Sequence, residues 1–142
     1  MRPERHESIA KSLIPAGLAG LDGILTVFGQ ADTYLAGDHS TVQEGNPIGA
    51  FFLSLSPSIF LIAIGVWMLT IIALAVFLPP KLGDVISPLI SIGHAVGAST
   101  WLIQLPLGFL WVFSFWLFIR VLVFPFYVKL LSRNRPLPQH EN

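Results

Sequence analysis

Residues 45–80 read GNPIGAFFLSLSPSIFLIAIGVWMLTIIALAVFLPP, thirty-six positions without one Asp, Glu, Lys or Arg. About twenty apolar residues cross the hydrocarbon core of a bilayer, so this stretch is more than long enough for one crossing. A second uncharged stretch follows from Val85 to Ile119. In a chain of 142 residues that is 54% hydrophobic and only 11% charged, no single soluble core hides that much apolar surface. The expectation is an all-α integral membrane protein: one domain over residues 1–142, a four-helix bundle with both termini on the cytoplasmic side.

Working outward, the spans are expected at about 12–35, 47–78, 85–103 and 109–131, with polar tails at 1–11 and 132–142. Asn46 followed by Pro47 is a helix start, because Asn caps well and Pro suits a first turn whose N–H groups have no partner. Pro57, after Ser54 and Ser56, should kink or restart that second helix. Pro79-Pro80-Lys81 ends it. The first span is the least apolar, holding Asp22, Gln30 and Asp32, and it is rich in small residues (Ala16, Gly17, Ala19, Gly20, Gly23). Small residues let helix backbones approach closely, so this span should pack against other helices instead of lipid. Gly93 and Gly97 form a GxxxG pair around His94 in the third span. The fourth is loaded with aromatics, among them Trp111, Phe113, Phe115, Trp116, Phe118, Phe124, Phe126 and Tyr127.

Orientation follows from the basic residues. With four spans, Arg2, Arg5, Lys11, Lys81, Lys129, Arg133 and Arg135 all fall on one side, and the two opposite loops carry no Lys or Arg. That side is cytoplasmic by the positive-inside rule. Residues 1–11 lack a compact apolar run ahead of a cleavage site, so the first span is expected to act as the insertion signal. Zero net charge suggests no nucleic-acid partner. The absence of cysteine excludes disulfides and thiolate chemistry. No GxSxG, HExxH, P-loop or GxGxxG arrangement occurs, and the chain is expected not to be an enzyme.

Ionisable residues inside membrane spans are costly and so invite functional readings. Asp22, His94 and Arg120 each fall roughly 15 Å from the cytoplasmic boundary at 1.5 Å rise per residue, with Thr70 nearby in depth. Together they form a candidate buried polar layer. Asp22 and Arg120 neutralising one another, Arg120 snorkelling alone to the headgroups, and a proton or ion relay through Asp22 and His94 all fit it. Asp22, Thr26, Gly29 and Thr33 share one helix face, as do Ser87, Ser91, His94 and Ala98. His94 also suits an axial ligand to a haem or pigment, and the aromatic fourth span suits a carotenoid. A bis-His haem would need a second histidine from a partner chain. Glu44, Asn46 and Pro47 are explained locally by capping of the second span.

Leu21-Asp22-Gly23-Ile24-Leu25-Thr26, then Gly37, then Glu44-Gly45-Asn46-Pro47-Ile48 resemble a family of small bacterial multi-span membrane proteins of unknown function. Those proteins share an Asp in the first span and a Glu-x-Asn-Pro motif before the second. The likeness covers about residues 20–50 and implies the bacterial cytoplasmic (inner) membrane, but no activity. The chain departs from the pattern in a longer Asp22-to-Glu44 interval and in lacking a Lys early in the second span. The leading functional expectation is a non-catalytic accessory or scaffold subunit, packed by its helices against other integral membrane subunits and lipids. The alternatives are a small transporter or channel-like oligomer using the Asp22/His94/Arg120 layer, or a pigment-, haem- or carotenoid-binding subunit of a photosynthetic or respiratory complex.

Overall fold

A computed structural model describes residues 3–125 and Val128. The chain is all-helical, with no strand among the described residues. Its elements are α1 (Pro3–Phe28), a short α2 (Asp32–Leu35), a 3-10 turn (His39–Thr41), α3 (Pro47–Leu55), α4 (Pro57–Phe77), α5 (Pro80–Leu102) and α6 (Gly108–Phe118), which passes into a π-helical turn at Ile119–Val123. The expected C-terminal tail, the last residues of the fourth span, and Arg2, Lys129, Arg133 and Arg135 lie outside the described residues.

Helix α1 is the centre of the molecule. It packs along its length against both α4 and α5, which scarcely meet each other, and α6 joins the rest mainly through α5. The small residues explain the placement. A Cβ on Gly20 would lie 3.2 Å from Met68 Sδ, and one on Gly23 would lie 2.8 Å from Ile64 Cγ1, so α4 sits as close as glycine allows. Ala16, Ala19 and Ile71 are buried between these helices, with Met68, Ile72 and Ile90 around them. The least apolar helix is therefore the most enclosed, while α4 and α5 turn most of their surface outward.

Two helices, residues 57–77 and 81–102, are long and apolar enough to cross a membrane, with mean hydropathies of 2.8 and 1.3. Little of either is buried within the chain: 11% and 22% of their most apolar stretches. Shorter apolar helices occupy Ser12–Phe28 and Gly108–Val121.

Prolines set the helix starts. Asn46 Oδ1 accepts from the Ile48 N–H at 3.0 Å and Pro47 opens α3. Ser56 adopts an extended conformation (φ −177°) and its hydroxyl accepts from Ile59 N at 3.1 Å, so Pro57 restarts the chain as a separate helix. Lacking an N–H, Pro57 leaves the Leu53 carbonyl without its i+4 donor. The Tyr34 hydroxyl supplies one, donating to Leu53 O at 2.9 Å with both residues fully buried. Phe60 completes this cluster.

Three helix boundaries differ from the expected spans, the first being the start of α1 at Pro3, within the expected polar tail 1–11. The first span does not continue as helix to residue 35: α1 ends at Phe28, the chain turns at Gly29-Gln30, and Ala31 is extended (ψ 154°). Gly29 lies flat against the Trp101 ring, where any side chain would overlap it. Helix α5 starts at Pro80 and not at Val85, because Pro80 fits a first turn and Leu82 and Gly83 donate to Pro79 O.

Candidate functional site

Asp22 and His94, seventy-two residues apart, meet where α1 passes α5. Asp22 Oδ2 lies 2.9 Å from His94 Nδ1, with each side chain about one-fifth exposed. From α4, the Trp67 indole N–H donates to His94 Nε2 at 2.9 Å. An indole nitrogen only donates, so Nε2 must accept, and in the neutral ring the proton sits on Nδ1 and points at Asp22. The three side chains form an ordered chain of hydrogen bonds that ties α4 and α5 together across α1. Gly97 lets α5 approach: a Cβ there would stand 2.6 Å from one Asp22 carboxylate oxygen and 2.7 Å from the other.

Beside this pair lies a cavity of about 330 Å³. Asp22, Thr26, Gly93, His94, Gly97, Thr100, Trp67 and Trp101 line it, and Glu44 and Asn46 contribute from the long loop. It holds two carboxylates and neither Lys nor Arg. No group of three or more His, Asp or Glu side chains suited to a metal ion converges among the described residues.

Glu44 is brought here by Gln30, a residue sequence reasoning noted only as polar. Buried at the end of α1, Gln30 accepts from Gln43 N at 2.8 Å through Oε1 and donates to Gln43 O at 2.9 Å through Nε2, gripping one loop residue as a strand neighbour would. Because both bonds go to the backbone of Gln43, its side chain offered no signal of the contact. Farther along the loop, Asp38 accepts from Ser40 Oγ at 2.6 Å and Ser40 N at 3.1 Å, and these bonds hold its carboxyl below the usual carboxylate range. Glu44 Oε1 accepts from Asn46 N at 2.7 Å.

The structure thus joins Asp22 with His94 and sets both beside Glu44 and Asn46, while Pro47 opens α3 just outside. It separates the other two members of the expected polar layer. Arg120 stacks over Phe124 at 4.9 Å, on the exposed side of the helix that touches α5, and does not pair with Asp22. Thr70 donates to Val66 O on its own helix and does not line the cavity. Depth counted along an axis leaves out azimuth, and α1 ends at Phe28, earlier than residue 35. Asp22 is six residues, about 9 Å, from that end.

His94 carries a carboxylate on Nδ1, as metal- and haem-binding histidines often do. Its other nitrogen is engaged by Trp67, so an axial ligand role would require the indole to leave. In α6, Trp116 Nε1 donates to Ser99 Oγ of α5 at 3.0 Å, while Phe109, Trp111, Phe113 and Phe118 face outward.

Compared with known proteins, the chain matches no protein-family model, no curated protein and no solved structure.

Proposed function

We propose that the chain is a four-span protein of the bacterial cytoplasmic membrane that works as a small proton-linked solute carrier, with the Asp22–His94 pair as its proton-handling element. The membrane reading is supported by the outward apolar faces of α4 and α5: Ile62, Leu69 and Phe77 are each about two-thirds or more exposed, which in water would be a large unsatisfied patch. The basic residues favour cytoplasmic termini. Two cysteine variants of this cysteine-free chain test that topology. Ala36→Cys should react with a membrane-impermeant thiol reagent added to intact cells, and Lys81→Cys should react only after lysis. The reverse pattern would overturn the orientation.

One observation carries the carrier reading: a carboxylate–imidazole pair opens onto a half-open cavity of mixed polar and aromatic lining where α1 passes α5. A second proton on His94 would turn Nε2 into a donor facing the Trp67 donor, breaking the tie between α4 and α5. Proton uptake would therefore couple to helix separation. With Glu44 and Asn46 at its rim, the cavity would be reached from the outer face. In liposomes holding a trapped pH dye, external pools of small cations, anions or neutral polyols should produce proton movement in at least one pool, and Asp22→Asn should remove it. If no pool moves the dye signal in wild-type vesicles, the carrier reading falls.

A packing role with other integral membrane subunits is supported by α6, where Phe109, Trp111, Phe113 and Phe118 face away from the chain. Co-purification in mild detergent tests it, and a lone monomer would count against it.

A further inference from the structure

We propose that the cavity beside Asp22 and His94 binds a small organic cation of the ammonium class; this rests on the carrier reading and names its solute. Three observations converge. First, the lining carries two carboxylates, Asp22 from α1 and Glu44 from the loop, with no Lys or Arg beside them. With Trp67 donating to Nε2, the His94 ring in its neutral form turns its Nδ1–H toward the Asp22 carboxylate.

Second, Thr26 is 97% buried (3% exposed) and lines the cavity, and its hydroxyl makes no hydrogen bond among the described residues. Thr70, Ser91, Ser99 and Thr100 donate to carbonyls of their own helices, the usual refuge of a helical hydroxyl. Thr26 does not, and a buried polar group without a partner costs free energy until something meets it. Lying at the wall of the cavity, that unpartnered hydroxyl is the group an N–H donor of the solute would satisfy.

Third, Trp67 and Trp101 both line the space, and indole faces attract ammonium groups, most of all where water is excluded. A bare metal ion would find too few converging ligands here, whereas an organic cation is recognised by charge and aromatic surface together. The volume, about 330 Å³, is at the small end of ligand pockets, which suits a solute of modest size.

The test is calorimetric titration of the full chain in nanodiscs with methylammonium and tetramethylammonium chloride, set against sodium chloride, sodium acetate and glycerol. At least one ammonium ion should bind. Glu44→Gln keeps the Oε1 acceptor that caps Asn46 while removing the charge, and should weaken binding roughly tenfold or more. Thr26→Val keeps shape and removes the hydroxyl; it should weaken methylammonium, which can donate, and leave tetramethylammonium unchanged. Binding of acetate or glycerol in place of the ammonium ions would overturn the cation class while leaving a solute carrier standing. Binding of sodium as tight as that of the ammonium ions would overturn the organic class. No binding by any probe overturns the proposal, and the dye assay then decides the carrier reading separately.

Discussion

Gly97→Ala should disconnect Asp22 from His94 without removing either side chain, and should lower Asp22-dependent proton movement by about tenfold or more. The new Cβ would stand 2.6 and 2.7 Å from the two Asp22 oxygens and 2.9 Å from Cγ, closer than any real contact. Either the helices separate or the carboxylate rotates. Helix α1 is held on its other side by α4 through Gly20 and Gly23, so the short Asp22 side chain is the part that yields, and its bond to His94 Nδ1 breaks. Solid-state 15N spectra of labelled histidine would report the loss as a shift of the Nδ1 resonance. Gly65→Ala, in α4 with open space around its Cβ position, controls for the general effect of adding a methyl group to a helix. Unchanged His94 resonances and unchanged flux in Gly97→Ala would sink the argument.

The second large effect concerns stability. Tyr34→Phe should cost about 1–3 kcal/mol, because it strands a buried carbonyl acceptor instead of removing an exposed bond. The Leu53 carbonyl lost its helical donor to Pro57, and Tyr34 Oη is the replacement at 2.9 Å, with neither residue reachable by water. The aromatic ring itself stays in Phe, so packing against Leu53 and Phe60 is conserved and the change isolates the hydroxyl. Unfolding of the detergent-solubilised protein, followed by tryptophan fluorescence in a denaturing-detergent titration, measures it. A difference below about 0.5 kcal/mol, the range of ordinary surface substitutions, would mean that the carbonyl finds another partner. Pro57→Ala restores an N–H at that position, so Tyr34→Phe should cost less in that background; equal costs would deny the link.

Much of the local architecture was legible beforehand because it depends on neighbours in the chain. Asn46-Pro47 and Ser56-Pro57 start helices by their own chemistry, and the small residues of α1 marked it as the helix to be surrounded. The early end of α1 was not legible. Gln30 and Gly29 lie inside the stretch expected to run on to residue 35, and what stops the helix is a grip on Gln43 and a tryptophan from α5, neither of which is local. Tyr34 looked like one more residue of a long span, and its task exists only because Pro57 is brought beside it.

By itself, the sequence determined the helical class, the apolar lengths and the helix starts at Asn46-Pro47 and Ser56-Pro57, all through interactions within a few residues. Only the tertiary structure decided that Asp22 meets His94 and not Arg120, and that Glu44 shares their cavity. The physical reason is register. Depth along an axis can be counted from residue numbers, but the rotation of one helix against another is set by which small residues permit contact. Here Gly97, by leaving room for a carboxylate, selects the partner.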